Sequence, residues 1–239
     1  ELHARRATRE PGEGEPSRAQ ALADLRALFE HAAVTEFAHA TGVCDTNLPL
    51  RERAVRMLRE FAARQAHLTA RWLAVGYVQG NMNSDNILLS GRTMDYGPFG
   101  FVERYDPLWS PFTPDAARKF GFERQPLAAQ VNVMTLARAL LPLLTDGPPP
   151  ADARAELELH QPTVDALQVV VQDEYPAALE RELGETRRAK LGLAAWDEPA
   201  AKELWPALQQ LMARSEVDYT IFWRQLSPVS SADAAAAQA

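Results

Sequence analysis

The sequence predicts a mainly α-helical fold in which a short β-hairpin carries the candidate functional residues. Apolar residues recur at spacings of three and four along most of the 239 residues, which is typical of amphipathic helices. The stretch from 78 to 101 breaks this pattern with a polar loop, short apolar runs and a Ser90-Gly91 turn. Because 46% of the residues are hydrophobic, the chain can bury a substantial core.

Two helices are predicted before the hairpin. Pro16 and Ser17 predict the start of a helix that ends near Gly42. A second helix is expected from 50 to 74, with Gly76 as its stop signal. Its expected buried face consists of residues spaced three or four apart, namely Val55, Leu58, Ala62, Gln65, Leu68 and Trp72. A basic run near its start predicts a solvated face, made of Arg51, Arg53, Arg56 and Arg59.

The hairpin and the C-terminal half complete the predicted elements. Strands are expected at 87–89 and 92–95, followed from 97 to 126 by a loop rich in proline and aromatic residues. The remaining helices are expected at 127–144, about 152–174, 176–189 and 200–213, with a last apolar stretch at 219–226. The sequence shows no internal repeat and no boundary between two independent cores.

Charge and cysteine content exclude several classes of protein. The net charge of −7 argues against broad binding to nucleic-acid phosphates, which needs clustered cations. No apolar run approaches the roughly 18 residues of a membrane span, so none is predicted. Cys44 is the only cysteine, which excludes an intrachain disulfide and a thiolate metal cluster. We expect it to be a small buried hydrophobic residue.

Both ends of the sequence are expected to lie outside the folded region, which we place at 19–227. Residues 1–18 are polar and rich in Arg, Glu, Gly and Pro, which predicts a flexible or truncated segment. They lack the apolar core of a secretory signal, so secretion is not expected. Because the chain begins with Glu1, we expect a processed product or a fragment. Residues 228–239 are predicted to form a flexible tail.

Hard oxygen ligands stand at both ends of the predicted hairpin. Mg²⁺ bound to nucleotide phosphates takes one or two carboxylate or amide oxygens and keeps water for the rest. Asn86 supplies an amide oxygen and Asp95 a carboxylate. Protein kinases use the same pair, an Asn of the catalytic loop and the Asp of an Asp-Phe-Gly segment. The second segment here reads Asp95-Tyr96-Gly97, so the pattern predicts a metal-phosphate site held by Asn86 and Asp95.

Two residues set this loop apart from an ordinary kinase loop. Asp85 stands beside the Asn ligand and could accept a proton from an attacking hydroxyl. A kinase places its base five residues before the metal-binding Asn, and here that position is Asn81, which has no basicity. The same loop also suits a purely structural turn, because short polar side chains cap local backbone groups.

Residues 78–107 resemble the selenoprotein O family, whose bacterial members are the YdiU-like proteins. The family pattern is close to HG-x-MNTDN, a short strand pair, DYGPFGF and YDP. This sequence has GNMNSDN at 80–86, DYGPFGF at 95–101 and YDP at 105–107. Flanking segments agree as well, including KLGL at 190–193, so that the resemblance spans roughly 20–227.

The resemblance implies a protein-kinase-like C-lobe that takes part in transferring AMP from ATP to hydroxyl side chains of other proteins. It implies Asn86 and Asp95 as ligands of the metal and the nucleotide, and Asp85 as the base. Mg²⁺, or Mn²⁺ in its place, is the implied metal, and ATP and protein substrates are the expected partners. The implied compartment is the cytoplasm if the source is bacterial and the mitochondrion if it is eukaryotic.

The sequence also departs from the family pattern. Gln79 stands where the family usually has His. Upstream of residue 78 there is no Gly-rich strand–loop–strand and no Lys, which a kinase-like N-lobe would supply. We therefore expect this chain to be a C-lobe alone. We expect catalysis to require a larger protein or assembly that also supplies the N-lobe. The alternative is an inactive pseudokinase-like lobe that acts as a scaffold or as a subunit of a larger assembly. A third interpretation, a small-molecule kinase of the aminoglycoside type, has weaker support, because such enzymes need Asp where this sequence has Asn81.

Overall fold

The computed structural model describes residues 17–144 and 153–229, and these residues are mainly helical, as predicted. The described α-helices are α1 Arg18–Thr35, α2 Leu50–Val75, α3 Gln125–Leu144, α4 Ala153–Val169, α5 Tyr175–Leu191, α6 Trp205–Arg214 and α7 Tyr219–Leu226. Single 3₁₀ turns lie at Ser84–Asn86 and Phe122–Arg124. The helices group into two compact units: the described parts of 1–66, 83–94 and 129–178, and those of 67–82, 95–128 and 179–239.

The small sheet of the described chain lies in the second unit. Strand β1 (Tyr77–Val78) pairs antiparallel with β2 (Gly100–Phe101), with Tyr77 opposite Phe101. The expectation of an unbroken loop from 97 to 126 is therefore wrong, since this stretch contains β2 and a 3₁₀ turn. A two-residue strand is too short to produce an alternating pattern, so its pairing depends on a distant partner.

The predicted hairpin forms, but not as two strands. A single antiparallel bridge joins Ile87 to Thr93, and the amide of Leu88 donates to the carbonyl of Arg92 at 2.8 Å. The Ser90-Gly91 turn is present, because the amide of Gly91 donates back to the carbonyl of Leu88 at 2.9 Å. The strands predicted at 87–89 and 92–95 are thus reduced to one bridged pair around a tight turn.

The first unit buries the apolar faces of α1 and α2. Phe29 of α1 and Leu58 of α2 are both almost wholly inaccessible to solvent. Arg53 is only 4% exposed, so the prediction of a fully solvated basic face is wrong at this position. Its guanidinium makes two hydrogen bonds of 2.8 and 2.6 Å to the carboxylate of Glu30 and one of 2.7 Å to the carbonyl of Val43. A buried guanidinium needs such partners to offset its lost hydration.

The second unit has an aromatic core. Val78 of β1 packs with Val102, Tyr105, Phe122, Met212 and Tyr219 in one buried cluster. The rings of Tyr105 and Tyr219 stack with centroids 5.9 Å apart, and Phe122 meets Tyr219 edge to face at 5.5 Å. Aromatic residues carry large apolar areas and favour these arrangements, so this cluster anchors α6 and α7 to the sheet.

Three further expectations need correction. Helix α1 ends at Thr35 rather than near Gly42, because the following residues form successive tight turns, such as Ala40 N to Phe37 O at 2.9 Å. The expected break before residue 176 is absent; α4 continues into α5 through a π-helical turn at Val170–Glu174, just before Pro176. Cys44 is exposed, since it lies in the connection after α1, and its thiol donates to the carbonyl of Ala33 at 2.9 Å.

Among the residues that the structure describes, one helical segment has the length and composition of a membrane span. Phe122–Leu144 contains a window with a mean hydropathy of 1.5, and 44% of that window is buried. Helices in the core of water-soluble proteins pass the same test. The absence of a membrane span therefore stays a prediction from the sequence.

Candidate active site

Hydrogen bonds fix the backbone of Asn86. Its amide donates to the carbonyl of Asn83 at 2.9 Å, which closes the 3₁₀ turn of Ser84–Asn86. Its carbonyl accepts from the amide of Met94 at 2.9 Å and from the Thr93 hydroxyl at 3.2 Å. The bridged hairpin thus holds Asn86 at its base, at the end away from the Ser90-Gly91 turn.

Helix α2 supports the tip of the hairpin from within the first unit. The side chain of Gln65, which is fully buried, donates to the carbonyl of Gly91 at 3.1 Å. Arg64 donates to the carbonyl of Glu36 at 2.9 Å and to that of Ser90 at 3.4 Å. These contacts connect the loop to a 26-residue helix, so the position of Asn86 is set by the core of the unit.

Asp85 is exposed and is one of the residues that line a concave surface in the first unit. The concavity has a volume of about 310 Å³ and combines apolar walls with a few polar groups. Its apolar lining consists of Phe61, Ile87, Leu89, Leu136 and Ala139, and its polar lining of Ser84, Asn132 and Thr135. Small-molecule and side-chain sites are commonly built in this way. A carboxylate at its edge can accept a hydrogen bond from a hydroxyl group seated there.

Asp95 lies in the second unit, at the start of the segment DYGPFGF. Its carboxylate Oδ1 accepts a hydrogen bond of 2.8 Å from the amide of Gly97. A Cβ placed on Gly97 would lie 3.2 Å from each carboxylate oxygen, closer than ordinary contacts. Glycine at 97 therefore leaves space around the Asp95 carboxylate that any larger residue would reduce.

A buried polar network positions the backbone of Asp95. Gln79 is fully buried, and its amide nitrogen donates to the carbonyl of Asp95. The Tyr77 hydroxyl donates to Gln79 Oε1 at 2.6 Å, and burial raises the pKa of Tyr77 to about 12. The side chain of Gln125 accepts a hydrogen bond of 3.0 Å from the backbone N–H of Gln79 and donates one of 2.9 Å to the backbone carbonyl of Tyr77.

Sequence reasoning missed Tyr77 and Gln125 as parts of the site. It treated Gln79 as a departure from a family pattern, whereas the structure shows a side chain that holds Asp95 through the main chain. The available signal was the polar character of Gln79 and Gln125 beside apolar positions, because a buried polar side chain implies partners.

The structure brings Asp85 and Asn86 together in one unit and Asp95 with Gln79 in the other. Within residues 17–144 and 153–229, no group of three or more His, Cys, Asp or Glu side chains could hold a metal ion. Within its own unit, each of Asn86 and Asp95 offers an oxygen donor of the type that Mg²⁺ takes when phosphates and waters complete its shell. The chemistry of each donor fits a cation that nucleotide phosphates also bind.

Comparison with known proteins identifies the class. A protein nucleotidyltransferase YdiU of Rhodopirellula baltica is 32% identical over 206 residues, which are 86% of this chain and 35% of the relative. Proteins of the same name from Methylobacillus flagellatus and Burkholderia pseudomallei are each 37% identical, over 190 and 214 residues. These alignments cover 78% and 88% of this chain, but 32% and 38% of the relatives.

The family follows from a second match. Residues 17–239 match the family model described as protein adenylyltransferase SelO. The chain therefore belongs to the SelO family, as the resemblance at 78–107 predicted. It spans about a third of the length of the curated relatives it matches.

Proposed function

We propose that this chain is the protein-kinase-like C-lobe, over 19–227, of an ATP-dependent protein adenylyltransferase. The reaction would transfer AMP from ATP to Ser, Thr or Tyr hydroxyl groups of other proteins. The observation that carries the proposal is the family match over 17–239, in a chain that retains Asp85, Asn86 and Asp95 in the family's order. The mainly helical architecture and the supported hairpin are consistent with a lobe of this kind.

Asn86 and Asp95 would hold the divalent cation, Mg²⁺ or Mn²⁺, together with the phosphates of ATP. When bound, the cation would neutralise phosphate charge and stabilise the departing pyrophosphate. Three hydrogen bonds, one of them from the Thr93 hydroxyl, restrain the main chain of Asn86, and the Gln79 side chain restrains that of Asp95. The main chain of each ligand is thus preorganised within its own unit. Preorganised donors avoid the cost of rearrangement during the reaction.

Asp85 would act as the base. The acceptor hydroxyl would lie at the 310 Å³ concavity that Asp85 borders and would pass its proton to the carboxylate. Its oxygen would form a bond to the α-phosphorus of ATP while the bond from that phosphorus to pyrophosphate breaks. The exposure of Asp85 suits this role, since the base must reach an incoming protein side chain.

Labelled ATP tests this function in the full-length gene product. We expect label from [α-³²P]ATP to enter protein, and label from [γ-³²P]ATP not to enter it. Asp95→Ala and Asp85→Ala should each reduce incorporation by about 100-fold or more, given the usual size of acid–base and electrostatic terms. Asp173→Ala, which alters an exposed carboxylate of the first unit, is the control and should keep activity.

Incorporation of γ-label instead of α-label would show that the activity is that of a protein kinase and would contradict the proposed adenylyltransferase.

A second candidate is an inactive pseudokinase-like scaffold. The residue Gln79 favours it, because Gln79 stands where the family usually has His. A full-length protein that neither incorporates label nor binds ATP would support that candidate.

A further inference from the structure

The second unit contains a small cavity whose lining does not include Asp95, Gln79 or the other residues of the candidate active site. It has a volume of about 80 Å³ and lies among α5, α6, α7 and the end of α2. This exceeds the roughly 10–15 Å³ that a single buried water requires. Its lining includes two cations, Arg187 and Lys190, and the indole of Trp205.

Arg187 has no hydrogen bond and no ion pair with any residue of 17–144 or 153–229. Its guanidinium carbon lies 4.6 Å from the ring centroid of Trp205 and 6.0 Å from that of Trp196. Stacking on indole rings stabilises the cation through its face but uses none of its five N–H donors. Burial lowers the pKa of Arg187, although a guanidinium stays protonated at neutral pH.

Trp205 adds a second donor without an acceptor. The residue is 8% exposed, and its indole Nε1 has no hydrogen-bond partner in the described part of the chain. More than nine in ten buried polar groups normally have one, because an unpaired donor loses its hydration without compensation. An acceptor from outside the chain would satisfy it.

Lys190 contributes charge to the same cavity. Its ammonium group donates to the carbonyl of Ala74 and lies 4.1 Å from the ring centroid of Trp223 and 4.8 Å from that of Tyr219. Burial lowers the pKa of Lys190 to about 8, so most molecules carry this charge at pH 7. The lining therefore holds two positive charges.

Glu123 is the acidic residue of this lining, and its oxygens already have donors. Gln209 Nε2 donates to both carboxylate oxygens at 2.9 Å, and the Tyr105 hydroxyl donates to one at 2.6 Å. The lining thus has a net charge of +1, with unused donors on Arg187 and Trp205. Glu180, which does not line the cavity, also acts on Arg187 electrostatically and would oppose an incoming anion.

We propose that this cavity is a binding site for a small oxyanion of about the size of phosphate. Arg187 and Trp205 would donate hydrogen bonds to its oxygens, and Lys190 would supply further positive charge. The volume, the unused donors and the surplus of positive charge in the lining all favour an oxyanion over water or a neutral ligand. The oxyanion could be a free ion or a phosphoryl or carboxylate group of a peptide, and these share the same chemistry.

Indole N–H resonances of the ¹⁵N-labelled 239-residue chain test the proposal directly. Trp205→Phe assigns the Trp205 signal among the five tryptophans. We expect inorganic phosphate to shift that signal saturably, and chloride at equal ionic strength to leave it unchanged. Acetate and phosphoserine-containing peptide, titrated separately, then distinguish a free phosphate from a carboxylate or a peptide-borne phosphoryl group.

Matched variants identify the donors. Arg187→Gln should weaken phosphate binding by at least about tenfold, because it removes a charge-assisted hydrogen bond. Arg181→Gln, an exposed arginine of the same helix, should leave binding unchanged, and Glu180→Gln should strengthen it. If Arg187→Gln unfolds the chain, Arg187→Lys retains the charge and should bind more weakly than the unmodified chain.

Two results would overturn the proposal. One is a Trp205 signal that phosphate, acetate and phosphopeptide all leave unmoved at millimolar concentrations. The other is an equal response in the unmodified chain and in folded Arg187→Gln or Arg187→Lys. Either result would make the cavity a water-filled space and Arg187 a packing residue.

Discussion

At the scale of single residues, Gln79 is the side chain that connects Tyr77 of β1 to the main chain of Asp95. It accepts from the Tyr77 hydroxyl and donates to the main chain of Asp95, and no part of it is exposed. Its position leaves Asp95 dependent on a residue that makes no contact with substrate in the proposed reaction. Gln79 is therefore a positioning residue.

Replacement of Gln79 by leucine should destabilise the second unit. The change keeps a similar side-chain volume but removes the hydrogen-bond partner of the Tyr77 hydroxyl and of the Asp95 carbonyl. Each buried polar group that loses its partner should lower the free energy of unfolding by about 1–3 kcal/mol. Urea unfolding followed by tryptophan fluorescence measures the loss. Gln210→Leu, at an exposed position of α6, is the control and should stay within about 0.5 kcal/mol of the unmodified chain. Equal stability of the two variants would contradict the role assigned to Gln79.

At the scale of elements, the pairing of Arg53 with Glu30 joins α1 to α2. Nη1 and Nη2 of Arg53 each donate a hydrogen bond to one carboxylate oxygen of Glu30, and Nε of Arg53 donates to the carbonyl of Val43. The hydrogen bond from Arg53 lowers the pKa of Glu30, so the folded state favours the ionised carboxylate. The contribution is modest for a pair whose acid is partly exposed, with 43% of the Glu30 side chain accessible.

This pair makes the stability of the first unit depend on pH. Because the folded pKa of Glu30 is lowered, its contribution is present above the unfolded pKa of about 4.3 and is lost as pH falls through the folded value. The difference in unfolding free energy between the unmodified chain and Glu30→Gln should therefore be largest near pH 7 and shrink toward pH 3. Urea titrations across this range measure it, with Glu52→Gln as the control, because Glu52 pairs with Arg56 on its own helix. A difference that does not change with pH would contradict the assignment.

Secondary structure was predictable where a pattern repeats. Helices α2 and α3 carry enough turns for their apolar spacing to be recognised, and their positions agree with prediction to within about two residues. The pairing of Tyr77–Val78 with Gly100–Phe101 was not predictable, since its two residues on each side contain no periodicity. The continuous passage from α4 to α5 was also missed, because Pro176 is normally a sign of a helix boundary.

At the scale of the whole molecule, the chain matches its relatives over about a third of their length. A kinase-like reaction also needs a Gly-rich loop over the phosphates and a Lys–Glu pair, and the sequence before residue 78 contains no lysine. The nucleotide would then be contacted from one side only by this chain.

We predict that the 239-residue chain alone does not transfer AMP, although the full-length gene product does. The measurement is incorporation from [α-³²P]ATP into protein by both forms, at equal concentration and with Mg²⁺. Retention of the folded state, followed by circular dichroism, serves as the control for the shorter form. AMP transfer by the 239-residue chain at a rate near that of the full-length product would contradict this prediction.

Asp85, Asn86 and Asp95 are candidate site residues because of their residue types and their order in the sequence. Asp85 and Asn86 before a tight turn, and Asp95 before Tyr96-Gly97, indicate a metal-phosphate site without knowledge of any contact. Their assignment as base and metal ligands stays a prediction. The residues that hold Asp95 in place could not be predicted in this way. The side chain of Gln125, for example, accepts a hydrogen bond from the backbone N–H of Gln79, which lies 46 residues earlier in the chain.

The sequence by itself determined the helical class, the family and the order of the candidate active-site residues, since periodicity and local motifs are properties of neighbouring positions. The tertiary structure alone decided which polar side chains are buried and what they hold. Gln79 and Arg53 cannot be distinguished in the sequence from exposed polar residues, yet both are buried. Their roles arise from burial, because a polar group removed from water acts on whichever partner the fold places beside it.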